Sequence, residues 1–154
     1  MKKIIPILVS FFIFPSLVIS QNVFFDYGEF LTLNDEYNNG SFINYYDNGN
    51  VKQKFQMKDG MEHGIVVSYF ENGKVKEKGN YNHGEKAGKW ISWSEEGVKL
   101  GEVSYNNNGN KEGKWNIWDD NGNLRAEMHY INGERKGSWK IWDENGVLLK
   151  EMNY

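Results

Sequence analysis

Few residues of this chain combine the type and the spacing that chemistry would require. There is no cysteine, which excludes a thiolate nucleophile, and no G-x-S-x-G motif that would point to a serine hydrolase. The three histidines, His63, His83 and His129, have no partner at the close spacings that bring metal ligands together. We interpret them as solvated surface residues, and we predict no metal site, no cofactor and no catalytic residue.

One column of carboxylates recurs through the second half of the chain. Glu102, Glu127 and Glu151 occupy one position of a repeating pattern that holds Lys54 and Lys78 in its earlier copies. Two carboxylates that cooperate as acid and base need different environments, and a repeat gives each the same one. We interpret the column as a solvated stripe on an outer β face, and we expect no enzyme.

Tryptophan is the unusual component. All six tryptophans form three pairs, Trp90 with Trp93, Trp115 with Trp118 and Trp139 with Trp142. A spacing of three in a strand places the two rings on opposite faces unless a bulge intervenes. One ring of each pair is then core and the other is a candidate contact for a sugar or a protein partner. The candidates are Trp93, Trp118 and Trp142. The alternative is that both rings pack, one within its hairpin and one against the next.

The elements that position these rings repeat along the chain. Opening glycines fall at spacings of 24, 24, 25 and 24 residues, at Gly40, Gly64, Gly88, Gly113 and Gly137. The extra residue of the third copy lies in the turn 106–109. An Asn-Gly or equivalent turn follows in every copy, and Asn-Gly accepts positive φ at both central positions of a hairpin turn. After it, apolar residues alternate, as at Leu124, Ala126, Met128 and Tyr130. Each copy is therefore predicted to be one antiparallel hairpin.

These observations predict an all-β fold. Residues 40–154 are expected to form a single-layer antiparallel β-meander of about five stacked hairpins of about 24 residues each. Residues 21–39 lack the pattern but carry large apolar side chains, which is typical of a segment that caps the first repeat of an array. The alternative for this segment is a linker.

The N-terminus indicates export. Lys2 and Lys3 precede an apolar run that ends at Ser20, the layout of a secretory signal peptide over residues 1–20, cleaved after Ser20. The alternative is a retained membrane anchor. Cleavage lowers the basic residues from 18 to 16 against 21 acidic ones, a net charge of −5. We expect a secreted or periplasmic protein with no nucleic-acid partner and no membrane insertion after cleavage.

The repeat resembles a known family. The segment Gly79-Asn80-Tyr81-Asn82-His83-Gly84, with Gly88 four residues later, is similar to the MORN repeat, and the longer unit in residues 40–154 looks like its bacterial variant, often labelled antitoxin-like. The resemblance implies stacked hairpins and no common active site. Phe, Val or Trp stands where the eukaryotic repeat usually has glycine, so the lipid-contacting surface proposed for that family is not carried over.

The function predicted from the sequence is an exported, non-enzymatic protein-interaction scaffold at the bacterial envelope. One alternative is glycan or cell-wall binding through exposed tryptophans, and a second is antitoxin-like inhibition of a partner protein. The last strand has an edge with no following strand to cover it, so we also expect the C-terminal hairpin to pair with a second copy or a partner strand.

Overall fold

The computed structural model describes residues 38–154. The predicted signal peptide, and the predicted cap apart from its last two residues, lie outside the described residues. Within the described range there is no helix, and the strands are β1 (Gly40–Tyr45), β2 (Val51–Lys58), β3 (Met61–Glu62), β4 (Gly64–Tyr69), β5 (Val75–Asn82), β6 (Glu85–Trp93), β7 (Lys99–Tyr105), β8 (Gly113–Trp118), β9 (Leu124–Ile131), β10 (Glu134–Arg135), β11 (Ser138–Trp142) and β12 (Leu148–Asn153).

All of these strands belong to one antiparallel sheet. Its order is β1-β2-β4-β5-β6-β7-β8-β9-β11-β12, with the short strands β3 and β10 pairing with β2 and β9. Strands that are adjacent in the sheet are thus adjacent in the chain, which confirms the predicted all-β meander of five hairpins. Pairing within a hairpin runs over six residue pairs in the first four hairpins, as between β8 and β9, and over five in the last. Pairing from one hairpin to the next is shorter, as at Gln53 with Ser68 and Lys54 with Val67.

The hairpin tips differ from the expected Asn-Gly turn. At the first tip the amide of Gly49 donates to the carbonyl of Tyr46 (2.9 Å) and the amide of Tyr46 donates to Asn50 (2.8 Å). Gly49 has a φ of 84°, whereas Asn48 does not adopt a positive φ. This is a type I turn closed by a left-handed glycine. The expectation of two positive φ values is wrong here, because the Asn48 side chain instead accepts the amide of Asn50 (2.9 Å) and holds the wider turn.

Turns with two positive φ values occur between hairpins. Asp59-Gly60, His83-Gly84 and Asn132-Gly133 have φ of 52° and 76°, 50° and 83°, and 50° and 87°. The exception is the turn that carries the extra residue, where the amide of Asn106 donates to Asn110 (2.9 Å) and Gly109 to Asn106 (3.1 Å). Its hydrogen bonds match those of a hairpin tip, so this connection accommodates the extra residue by adopting a different turn type.

The core lies on one face of the sheet. Its buried apolar residues are Phe42, Val66, Trp90, Trp115, Tyr130 and Trp139. The buried Ala87 lies opposite Asn80, on the other face. Because an antiparallel partner lies on the same face, Trp115 opposite Met128 and Trp139 opposite Met152 place alternate residues of β9 and β12 on this face, as the period of two predicts.

Every hairpin contains a bulge beside its tip. The register shifts there, and one residue of the second strand has no opposite partner; these residues are Lys52, Lys76, Leu100, Arg125 and Leu149. The first strand keeps its alternation, so the members of each tryptophan pair lie on opposite faces. Trp115 contacts Tyr105 and Tyr130 on the core face, whereas Trp118 lies under Lys99 on the outer face.

Candidate functional site

The first tryptophan of each pair is structural. Trp90, Trp115 and Trp139 are buried. Each indole N–H donates to a carbonyl of the strand beside it, Trp90 to Asn80 (3.1 Å), Trp115 to Ser104 (2.8 Å) and Trp139 to His129 (3.0 Å). A buried indole needs such an acceptor, and these three rings have no polar atom left for a ligand.

A cation covers each of these rings. The Nζ of Lys86 lies 3.7 Å from the centroid of Trp90, the Nζ of Lys111 lies 4.6 Å from that of Trp115, and the guanidinium of Arg135 lies 4.8 Å from that of Trp139. All are within cation–π range. The sequence analysis missed these contacts, although all three cations stand two residues before an opening glycine.

In the second copy the equivalent position holds Glu62. Burial raises the pKa of the Glu62 carboxyl. Burial also raises the pKa of the Tyr81 hydroxyl, with a smaller contribution from the negative charge of Glu62. The second hairpin therefore has an acid beside its tyrosine where the later hairpins have a cation.

The second tryptophans are the candidate contacts of the sequence analysis, and their rings are half-buried. The indole N–H groups of Trp93, Trp118 and Trp142 form no hydrogen bond with any residue of the range 38–154. No buried side-chain nitrogen or oxygen in that range lacks a partner, so these N–H groups contact solvent. The three rings lie one repeat apart without touching. The Nζ of Lys99 lies 4.4 Å from the centroid of Trp118, and of the three only Trp93 lines the groove described next.

A groove of about 990 Å³ lies beside the tips of the first hairpins. Four consecutive strands supply its floor, through the cross-strand row Gln53, Ser68, Glu77 and Ser92. The remaining lining residues come from the tips and from the strand ends beside them: Tyr46, Lys52, Tyr69, Phe70, Lys76, Trp93, Ser94, Glu95, Glu96, Leu100 and Asp120. The same row continues in later hairpins with Gly101, Ile117, Ala126 and Ile141. The row ends at Lys150 of β12, and at its other end Asn44 of β1 lies opposite Gln53. The groove therefore lies on a polar part of this row, which has no polar side chain from Gly101 to Ile141.

The bulge residues form part of the groove wall. The Nζ of Lys52 lies 5.7 Å from the centroid of Tyr46, and that of Lys76 lies 5.6 Å from the centroid of Phe70. In both hairpins the bulge lysine thus lies over the first residue of its own tip. The Tyr46 hydroxyl donates to the carbonyl of Tyr69 (2.7 Å), which ties the first tip to the second.

The third hairpin ends the groove differently. Its bulge residue is Leu100, and its first tip residue is the buried Ser94, whose Oγ accepts the amide of Val98 (3.3 Å). A hydrogen bond from its own backbone amide, and a second with Ser94, lower the pKa of the Glu96 carboxyl. This end of the groove therefore presents the Glu96 carboxyl in its ionised form.

A protein-family comparison agrees with this architecture. The family described as MORN repeat variant matches residues 38–59, 62–83, 111–132 and 135–154, together more than half of the chain. The chain belongs to the MORN repeat variant family. The match leaves out residues 84–110, which contain the third hairpin and the inserted residue. No curated protein matches the chain.

Membership of the MORN repeat variant family carries a general function. MORN repeats are binding repeats that often contact proteins or membranes, and they are not a known enzyme class. The part of this MORN-variant chain that is described contains no helix long and apolar enough to cross a membrane.

The carboxylate column of this MORN-variant protein is ion-paired on the outer face. Glu102 accepts from Lys89 (2.8 Å) and Lys99 (2.9 Å), and these hydrogen bonds lower the pKa of its carboxyl. Glu127 pairs with Lys114 (2.7 Å) in the next hairpin. Because each carboxylate has its own lysine, the column has the arrangement of a solvated stripe.

Two of the histidines are closer than the sequence suggested. The rings of His63 and His83 meet edge to face with centroids 4.9 Å apart, and the amide of His83 donates weakly to Nδ1 of His63 (3.5 Å). The expectation of scattered histidines is wrong for this pair, because the turn of one repeat lies against the connection of the previous one. Within residues 38–154, no group of three or more His, Asp or Glu side chains is placed to hold a metal ion.

Proposed function

We propose that this MORN-variant protein is an exported, non-enzymatic binding protein whose groove holds a segment of a partner protein at the bacterial envelope. The observation that carries the proposal is the polar row Gln53, Ser68, Glu77 and Ser92 at the base of the 990 Å³ groove. In the fourth and fifth hairpins the same row holds Ile117, Ala126 and Ile141, whose side chains offer a bound segment no hydrogen bond.

The dimensions of the groove fit a short extended segment. Its volume lies at the upper end of the range usual for ligand clefts, about 300–1,000 Å³. The floor crosses four strands, and at about 4.8 Å between strands this spans roughly 14 Å, enough for about four residues of extended chain. Aromatic side chains and polar groups together suit a peptide, whose backbone needs hydrogen-bond partners and whose side chains need apolar contact.

Site-specific photocrosslinking tests the proposal. A photoreactive residue replaces Ser68 on the groove floor, and a matched variant carries it at Asn116, which faces the outer surface opposite Glu127. Both are expressed as the full chain in the native host. We expect a discrete protein adduct with the Ser68 variant alone. Equal labelling of both positions, or none at Ser68, would reject the groove as the binding site.

Export is supported by the charged, apolar and small-residue regions of residues 1–20. The measurement is the N-terminal sequence of the protein from fractionated cells. We expect it to begin at Gln21 in the periplasmic or secreted fraction. An intact N-terminus in the cytoplasm would reject export and would favour the antitoxin-like alternative.

Glycan binding is the second candidate, and the solvent-facing indole N–H groups of Trp93, Trp118 and Trp142 favour it. Half-exposed aromatic rings with a free polar atom can stack on a sugar and donate to its hydroxyls. Titration with cellohexaose and chitohexaose, followed by tryptophan emission, is the test. We expect binding to be lost when all three rings are changed to Phe, and the absence of any response in the parent protein would remove this candidate.

Self-association is a further proposal for the last hairpin. Within the described range β12 pairs only with β11. The side chains before and within it are exposed, with Val147 59%, Leu148 45% and Leu149 64% accessible. We expect a dimer whose solution mass falls to that of a monomer when Leu149 is changed to Lys; equal masses for mutant and parent would exclude this edge.

A further inference from the structure

The first two hairpins contain a repeated cation contact inside the groove. In each, a bulge lysine lies over the aromatic ring of its own tip, Lys52 over Tyr46 and Lys76 over Phe70. In the fourth hairpin the bulge residue Arg125 also reaches its own tip, where its guanidinium lies 3.7 Å from the carboxylate of Asp119. A cation from the bulge thus meets the tip in three of the first four hairpins.

The third hairpin lacks this cation. Leu100 stands at the bulge and Ser94 at the tip, and both line the groove. Because leucine is uncharged, the bulge of the third hairpin places no cation at this end of the groove. Leu100 occupies the bulge position of the third hairpin, as Lys52 and Lys76 do in the first and second hairpins.

Carboxylates collect at the same place. Glu95, Glu96 and Asp120 line this end of the groove. Within residues 38–154, Glu95 and Asp120 form no ion pair. The neighbouring Lys74 donates to the main-chain oxygen of Glu96 (3.4 Å) and not to a carboxylate of the group. The fourth acid of the groove, Glu77, is already paired with Lys86 at 3.3 Å.

We propose that this end of the groove, between Leu100 and the carboxylates of Glu95 and Asp120, receives an arginine or lysine side chain from an extended basic segment of the partner protein. The incoming cation would take the place that the bulge lysine fills in the first two hairpins. The proposal rests on the proposed function and adds the chemistry of the partner.

Charge complementarity selects this occupant. The groove is lined by two lysines, each held over a ring, and by four acids, so its potential repels phosphate-rich and acidic ligands. A guanidinium suits the site because its planar fork pairs with carboxylates, and its weak hydration lowers the cost of entering a partly apolar groove.

The test uses the mature protein, residues 21–154, and a blocked peptide with the sequence Gly-Arg-Gly-Arg-Gly, followed by calorimetry. The control peptide replaces arginine with citrulline, which has nearly the same shape and no charge. Exposed charge pairs contribute modestly, so we expect the arginine peptide to bind about fivefold or more tightly than the citrulline peptide. Equal binding of the two peptides would overturn the proposal.

Two matched substitutions locate the effect. Leu100→Lys supplies the missing bulge cation, which the first two hairpins accommodate, and should abolish preferential binding of the arginine peptide. Ile131→Lys makes a similar change, from an apolar residue to lysine, at an exposed position of β9 outside the groove, and should leave binding within about twofold of the parent. If Leu100→Lys binds like the parent, the cation does not lie at this end.

Carboxylate variants give an independent check. The double variant Glu95→Gln with Asp120→Asn should weaken binding of the arginine peptide about fivefold. The double variant Glu134→Gln with Glu144→Gln removes the same charge from exposed positions away from the groove and should change binding little. Equal loss in both would mean that only the net charge matters and would overturn the proposal.

The outcomes separate this inference from the proposed function. If Ser68 crosslinks to a protein but Leu100→Lys leaves binding of the arginine peptide unchanged, the groove remains a protein-binding site. The proposed position of the arginine or lysine side chain is then rejected. Binding of a neutral hexasaccharide in place of the arginine peptide would reject the basic segment as the occupant.

Discussion

Substitution of Gly79 by alanine tests the packing of the core at its tightest point. Gly79 is buried in β5 and does not adopt a positive φ, so alanine fits its backbone conformation. A Cβ atom at this position would overlap ring atoms of Trp90, including Cε3 at 2.6 Å. The rigid indole cannot move aside without leaving its hydrogen bond to the carbonyl of Asn80 (3.1 Å).

The expected cost combines three contributions. Glycine to alanine stabilises by about 0.4–1 kcal/mol through the unfolded chain. Overpacking of a filled site costs about 1–3 kcal/mol, and loss of the indole hydrogen bond costs about 1 kcal/mol. We therefore expect Gly79→Ala to lower the free energy of unfolding by about 2 kcal/mol, and the melting temperature by about 8 °C.

Urea denaturation followed by circular dichroism and tryptophan emission measures this loss. Gly101→Ala is the matched control, because its Cβ would come too close only to the Oγ of Ser92 at 2.7 Å, an atom that can rotate away, and would be in ordinary contact with Cδ1 of Ile117 at 3.9 Å. It should be neutral to within about 0.5 kcal/mol. In a Trp90→Leu background, Gly79→Ala should no longer destabilise. Equal effects at the two glycines, or an undiminished loss in that background, would refute the steric argument.

Three further predictions concern the cation contacts, the turns and the tips. Lys111→Met keeps the apolar stem but removes the charge over Trp115, and chemical denaturation should show a loss of about 0.5–1 kcal/mol. Gly133→Ala places a Cβ at a φ of 87°, so the melting curve should show a loss of about 1–2 kcal/mol. The Asp119 carboxylate accepts the amide of Asn123, which lowers its pKa. The ionised Asp119 carboxylate therefore stabilises the fold at pH values above its unfolded pKa, about 3.9. This stabilisation is lost as the pH falls through the lower pKa of the folded state. Asp119→Asn should be less stable than the parent at pH 7 and should lose less stability on acidification.

Each of these predictions has a matched control. Lys114→Met removes a surface ion pair and should cost less than Lys111→Met; the reverse order would contradict the cation–π interpretation. Asn107→Ala changes a turn residue whose φ is not positive and should be nearly neutral, so a loss equal to that of Gly133→Ala would remove the argument from backbone strain. Asp120→Asn leaves the tip hydrogen bonds of Asp119 in place, and it should show the full acid-induced loss of the parent.

The fold could be predicted from the sequence because its determinants are local. Glycines at a fixed spacing define the turns, and a period of two assigns faces within one strand, as it does for Met128 and Tyr130. The geometry of the hairpin tips was harder to predict from the sequence, because Asn-Gly is compatible with two turn types. The side chain of Asn48 selects the observed turn, because it accepts a hydrogen bond from the backbone amide two residues later. Asparagine commonly forms this hydrogen bond, so the residue type itself favours the turn.

The groove could not be predicted because it depends on contacts between copies. Gln53 and Ser68 are unremarkable polar residues in the sequence, and they form a row only when the register between hairpins is known. The meeting of His63 with His83 has the same origin, since a turn of one repeat packs on the connection before it. Pairing between hairpins varies, with two residue pairs between β2 and β4 and five between β5 and β6, and nothing in either strand alone encodes it.

The cation contacts show why the difference between features set within one copy and features set between copies matters for function. A repeat gives every copy nearly the same backbone, so a site depends on the side chains that differ between copies. Leu100 and Leu149 occupy the same bulge position, but of the two only Leu100 lines the groove. Lys52 and Lys76 fill their own tips, whereas Leu100 leaves the third tip with carboxylates and no cation from its bulge. The third hairpin also lies outside the residues that the family matches. The pair Leu100→Lys and Ile131→Lys separates recognition in the groove from the effect of net charge, because each adds one lysine and of the two only Leu100 lines the groove.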